Sequence, residues 1–290
     1  MSARAVSWTA RLRPRFSLRL ALGLVALTAL ALTVWVERFD PVRRWHKNIR
    51  DDQEGTRRWD AIENAFRGKV PGLDTSSAIA ALADALGDPS FRVRAMAAQG
   101  LGRFGTRANA AIPSLVRSLD DEDFTVRWAA VNSLRDVLAP SDPRKGLVVA
   151  ALTRALGDRR TDVGMAAAVA LTFMNEGRPA VPLLTAALRG DPDFHRTGAI
   201  YWLGRIGLPD AAPAVSGLLA ITREPEMVKD DQFHNRSLQK VYAAEALLQL
   251  GETDLALSVL RRAEGSSHAI VRDEAVKVLK RFETKSGRTR

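Results

Sequence analysis

The sequence predicts an all-α solenoid, a stack of helical hairpins, set behind a single apolar helix near the N-terminus. Three observations predict it. The stretch Asp88 to Gly105, DPSFRVRAMAAQGLGRFG, reads as turn, helix and stop, and variants of it recur down the chain. Anchored on a late leucine, the recurrences fall at Leu101, Leu134, Leu171, Leu203, Leu247 and Leu279, with spacings of 33, 37, 32, 44 and 32. A period in the thirties marks stacked supersecondary units. Finally, Leu20 to Val36 runs without a charged residue behind a basic leader.

Residues 1–19 carry Arg4, Arg11, Arg13, Arg15 and Arg19 and no acid. The apolar run 20–36 would span roughly 26 Å as a helix at 1.5 Å per residue, the short end of what a bilayer core requires. Trp35, Trp45 and the pair Arg43–Arg44 suit an interfacial anchor, so the reading is a single-pass signal-anchor helix followed by a linker over 37–50. Five basic residues lie in 1–19 and five in 37–56, so the positive-inside count is a tie. The basic leader favours an N-terminus inside and a body outside the cytoplasm, as in a bacterial inner-membrane protein. The alternative is a cleaved signal peptide, with Ala29 and Ala31 framing an A-x-A site and a secreted product.

The body, 51–282, shows no strand-like alternation and reads as one helix followed by about six hairpins. Each late-leucine helix follows another amphipathic one, at 78–86, 111–119, 147–156, 180–188, 214–221 and 255–263. Pro113 and Pro182 fall near the start of such helices, where a missing N–H costs little. The turns Gly87-Asp88-Pro89, Asp120 to Asp123, Gly157-Asp158 and Gly190-Asp191-Pro192 are placed to cap the second helices. Ala97, Ala130, Ala167 and Ala243 allow close helix approach. Past 282 a basic tail, 283–290, is expected to fray.

An acid in the turn and a basic residue six positions later recur as Asp52 with Arg58, Asp88 with Arg94 and Asp121 with Arg127. With the hairpin period, these residues make 51–282 resemble the HEAT-repeat family, especially the short bacterial repeats also found in phycobilin lyase subunits. The resemblance implies a right-handed α–α superhelix of armadillo-like character, with the acid and arginine residues forming a ladder between adjacent repeats. The pattern decays further on: Asp158 faces Gly164, Asp191 precedes Arg196 by five, Lys240 lacks an acid at the matching turn, and Arg272 has Ser266. As exposed ion pairs such contacts are worth about 0–1 kcal/mol each.

The net charge of +10 suggests an anionic partner, but its distribution excludes a nucleic-acid surface. The basic excess lies at the two ends, and residues 51–279 hold 28 basic against 30 acidic residues. There is no cysteine, hence no disulfide or thiolate metal site. No phosphate loop, nucleophile elbow or His-Glu-x-x-His is present, so no catalytic, metal-binding or cofactor-binding residue is assigned. HEAT-fold hydroxylases hold iron with His-Glu dipeptides; His46, His195, His234 and His268 are followed by Lys, Arg, Asn and Ala. Candidate partner-binding residues are instead Trp59 and Trp128, which follow the ladder arginines, and His195 and Arg196 beside Tyr201-Trp202. Phe233 and His234 join them, in a polar insertion of about ten residues at 224–235 that accounts for the 44-residue spacing. The functional expectation is a membrane-anchored, non-catalytic scaffold that binds protein or peptide on its concave face. The alternative is an enzyme or enzyme accessory of the phycobilin-lyase-like type.

Overall fold

A computed structural model describes residues 74–190, 194–224 and 233–286, with the isolated positions 64 and 67. The apolar run 20–36, the expected first ladder residues Asp52 and Arg58, the neighbouring Trp59 and most of the 224–235 insertion lie outside the described residues. Every regular element among the described residues is helical. In chain order they are α1 (Thr75–Ala85), α2 (Phe91–Phe104), α3 (Ile112–Arg117), α4 (Phe124–Val137), α5 (Lys145–Ala155) and α6 (Thr161–Phe173). Then come α7 (Val181–Ala187), α8 (Phe194–Ile206), α9 (Val215–Thr222), α10 (Phe233–Gln249), α11 (Thr253–Glu264) and α12 (Ala269–Ser286). Among the described residues no helix is long and apolar enough to cross a membrane.

The helices pair as consecutive hairpins, and the second helices α2, α4, α6, α8, α10 and α12 pack one after another as a continuous layer. Proline enters the first-helix layer where its missing N–H is harmless: Pro113, Pro182 and Pro213 each sit in a first turn. Short 3₁₀ turns lead into α3, α7 and α9. The apolar stripe of each helix goes inside, and Leu101, Leu134, Leu171, Leu203 and Leu247 are fully buried. Extra length at the insertion is partly absorbed by α10, which has 17 residues against 13 or 14 in α2, α4, α6 and α8. α12 continues to Ser286, past the expected boundary at 282.

The turn acids cap differently from expectation. Asp191 lies outside the described residues; of the other expected turn acids, Asp123 caps its helix directly, accepting from the N–H of Thr125. Asp88, Asp121 and Asp158 lie two residues ahead of the N-cap position. Their carboxylates accept from the N–H groups of Ser90, Asp123 and Arg160 at 2.8, 2.9 and 2.8 Å. These are Asx turns, which fix the approach of the chain to the helix. They also hold each carboxylate so that its remaining acceptor capacity is offered outside its own turn.

Candidate functional site

Two linear features run across the repeats, and the first is an ion ladder. Arg94 on α2 grips Asp121 in the next turn with two near-parallel bonds, Nε to Oδ2 at 2.7 Å and Nη2 to Oδ1 at 2.8 Å. Its Nη1 donates to the carbonyls of Asp88 and Pro89 at 3.0 Å each. Arg127 on α4 repeats the arrangement on Asp158, at 2.6 and 2.9 Å, and on the carbonyls of Asp121 and Glu122. A third rung joins Arg196 on α8 to Glu224. The arginine therefore binds backbone of its own turn and the carboxylate of the following one. That corrects the expected pairing: Asp88 is not the carboxylate partner of Arg94, nor Asp121 that of Arg127. It is also why Asp158 is engaged although position 164 is glycine. The expected rung of Asp52 and Arg58 lies outside the described residues.

Gly164 itself stands where a ladder arginine would be. A Cβ there would come within 2.9 Å of the Leu156 carbonyl oxygen, which leaves no room for one. The rungs are also drier than exposed pairs: side-chain exposure is 10% and 11% for Arg94 and Asp121, and 5% and 9% for Arg127 and Asp158. Burial alone would raise the Asp121 carboxyl, but the Arg94 hydrogen bonds and the Asp123 N–H outweigh it and hold it below the usual range. The Arg127 hydrogen bonds hold the Asp158 carboxyl down against burial, and both arginines are pushed up by their carboxylates.

The second feature is a strip of aromatic and polar side chains on the second-helix layer. Trp128, 42% exposed, lies at i, i+4 and i+7 with Asn132 and Arg135 on α4. Asn132 Nδ2 donates to the Trp128 carbonyl, and Arg135 donates to Asn132 Oδ1. The Arg135 guanidinium lies 5.5 Å from the ring centre of Phe173 on α6, a cation–π contact across the repeat boundary. Phe173 meets Trp202 of α8 at 5.2 Å, and Tyr201 stands edge-on to Trp202 at 4.9 Å. Phe173 and Tyr201 are each 53% exposed, high for large aromatic groups. The strip thus crosses three hairpins and borders a cleft lined by Arg135, Leu138, Lys145, Phe173 and Asn175.

The other sequence-predicted residues distribute unevenly. His195 is half-buried, with Nε2 3.3 Å from Asp162 Oδ1. Arg196 is buried at 5% exposure within its ladder rung, so it stands under the surface rather than on it. Trp59 and the side chains of Phe233 and His234 lie outside the described residues. Phe173 and Arg135 were missed by sequence reasoning. The available signal was a large aromatic group two residues beyond the late leucine, a place taken by Arg, Asp, Arg, Gln and Arg in the other repeats. Among the described residues no three His, Asp or Glu side chains are grouped to hold a metal ion.

A chain of stacked helical hairpins tied by an Asp–Arg ladder defines a helical-repeat protein. Residues 49–135 match the family model for HEAT repeats, so this stretch carries HEAT repeats, as its turn acids and arginines suggested. Among solved structures, a crystal structure of an engineered protein is similar at 18% identity, covering 84% of this chain and 68% of its own, with a TM-score of 0.49. A second engineered protein shares 17% identity over 83% of this chain and 97% of its own, with a TM-score of 0.34. A chain from work on the phosphorylation switch that controls the cadherin–beta-catenin interaction shares 18% identity, with a TM-score of 0.49. The similarity covers 84% of this chain and 55% of that one. No curated protein matches the chain.

Proposed function

We propose that the protein is a non-catalytic HEAT-repeat scaffold, anchored to a membrane by residues 20–36, that binds a protein or peptide along its second-helix layer. The observation that carries this reading is the strip Trp128–Arg135–Phe173–Trp202–Tyr201, in which Trp128, Phe173 and Tyr201 are exposed and Arg135 and Trp202 half-buried. Aromatic side chains and arginine supply most of the binding energy in protein interfaces, because they bury large areas at little conformational cost. The second helices form the concave surface in the superhelix that the HEAT resemblance implies, which makes the strip a groove floor. A near-neutral body suits a protein partner better than a polyanion. Anchorage would confine the search to the membrane's neighbourhood and raise the effective concentration of a membrane-associated partner.

A photo-crosslinking amino acid at Tyr201 in the full chain tests the interface. The expected result is one discrete polypeptide adduct. No such adduct should form from Leu147 on α5, which is comparably exposed at 49% on the other helix layer. Replacing Phe173 by Ala should abolish the Tyr201 adduct while helicity is retained. Equal adducts from both positions would remove the strip as the binding surface. For the anchor, a C-terminal reporter active only outside the cytoplasm should be active in the membrane fraction; an intact but inactive fusion reverses the orientation.

A further inference from the structure

One position in the ladder carries a cation and no carboxylate. Lys240 on α10 lies seven residues before Leu247, the interval that separates Arg94 from Leu101, Arg127 from Leu134 and Arg196 from Leu203. The turn inside the next hairpin, between α11 and α12, should supply the acid, and it presents Ser266. That serine keeps the conformational half of the ladder acid's role. Its hydroxyl accepts from the N–H of His268 two residues on, as Asp88, Asp121 and Asp158 accept from Ser90, Asp123 and Arg160. Arg272 donates to the Ser266 carbonyl at 3.2 Å, as Arg94 does to Asp88 and Arg127 to Asp121. The turn is built as a ladder turn and lacks only the charge.

A cleft of about 470 Å³ opens at this place. Lys240, Arg262, Ser237, Ser266, Ser267 and Thr222 supply its polar lining, and no acid lines it among the described residues. No carboxylate among the described residues pairs with Lys240 or Arg262. Lys240 is half-buried, so it has given up part of its hydration without gaining a counter-charge. α12, 18 residues long, begins three residues past Ser266, and the positive end of its dipole adds to the same sign. Two cations, several hydroxyl groups and a helix start thus border one open volume.

We propose that this cleft takes a carboxylate from outside the repeat array, presented on an acidic peptide segment and seated on Lys240 where a ladder aspartate would lie. The inference does not rest on the aromatic strip. Each equivalent seat that carries an arginine and a turn acid is filled by a polypeptide carboxylate, so a peptide-borne Asp or Glu has the right reach and chemistry. The volume lies within the usual range for ligand sites and exceeds what one carboxylate fills, so flanking peptide enters with it.

Calorimetric titration of the full chain tests the proposal with four probes: a blocked Gly-Asp-Glu-Asp-Gly peptide, its Asn/Gln counterpart, sodium succinate and inorganic phosphate. The acidic peptide is expected to bind saturably, more weakly as salt rises, and the neutral counterpart not at all. Lys240→Ala should lower the affinity about tenfold, the loss of one charge-assisted contact. Saturable succinate binding without peptide binding would retain the carboxylate seat and overturn the peptide as its source. Binding of phosphate alone, of nothing, or equally by Lys240→Ala would overturn the seat itself. Ser266→Asp supplies a second, independent test that needs no destabilised protein. It restores the missing rung, so it should raise the melting temperature and weaken peptide binding about tenfold. A Ser266→Asp chain with unchanged stability and unchanged binding would equally defeat the proposal.

Discussion

At the residue scale, the ladder shows why a sequence pair and a structural pair can differ. The spacing of six between Asp88 and Arg94 is real, but Arg94 meets Asp88 only through its backbone carbonyl; its carboxylate partner is Asp121, 27 residues on. Spacing within one repeat cannot reveal which neighbouring turn a long side chain reaches. Because the rungs are buried, removing one member leaves an unpaired charge, and cutting Arg127 back to alanine should destabilise the protein by about 3 kcal/mol, the low end for buried pairs. Denaturant midpoints measure this. The same pair gives a pH dependence of known sign. The Asp158 carboxyl is held below its unfolded value, about 3.9, chiefly by the Arg127 hydrogen bonds. As pH falls toward the folded value the unfolded chain takes up its proton first. Stability from this group is therefore complete above the unfolded value and lost on acidification through the folded one. In Arg127→Ala the Asp158 share of that acid-induced loss should shrink, seen as a flatter plot of stability against pH below about 4.

At the element scale, the close contacts between successive second helices depend on small residues, and two glycines separate packing from propensity. A Cβ at Gly102 of α2 would lie 2.8 Å from Ser133 Oγ and 3.2 Å from the Ser133 Cα on α4. Ser133 cannot yield freely, since its hydroxyl donates to the Ala98 carbonyl at 2.6 Å in a buried bridge between the two helices. Gly198 of α8 meets nothing within 4 Å. Gly102→Ala should thus destabilise by about 1–3 kcal/mol through overpacking. Gly198→Ala should stabilise by about 0.5–1 kcal/mol through helix propensity, and thermal melts of the two variants decide the matter. The sequence made the helices legible, down to prolines in their first turns, because periodicity and turn chemistry are local. It picked out Trp128 and Tyr201-Trp202 but not the strip that joins them, because Arg135, Phe173 and Trp202 belong to three different helices and meet only once the hairpins are stacked. Arg196 misled for a related reason: exposure depends on the acid at Glu224, which no local pattern points to.

At the scale of the whole molecule, the repeat period predicted a chain of neighbours, and the buried core has that form. Apolar residues from Ala78 to Leu171 make one cluster and those from Met165 to Val278 another. The two interleave on α6, where Val163, Ala167 and Leu171 join the first and Met165 and Ala168 the second. Leu156, at the C-cap of α5, packs against both. In such an array each hairpin contacts its neighbours and little else, so a lesion should weaken the structure locally before it weakens the whole. Leu115 on α3 and Leu260 on α11 are both fully buried, one in each cluster. Truncating either to alanine removes about 2–5 kcal/mol of packing. Amide hydrogen exchange should then report different regions. Leu260→Ala is expected to speed exchange in α9 to α12 while α2 and α4 keep their protection, and Leu115→Ala to do the reverse. Loss of protection spread evenly from α1 to α12 in both variants would mean that the coupling through α6 is strong enough to make the array one cooperative unit. In that event ligand binding at the Lys240 cleft would be felt along the entire stack, including at Tyr201; with local unfolding the two surfaces act separately.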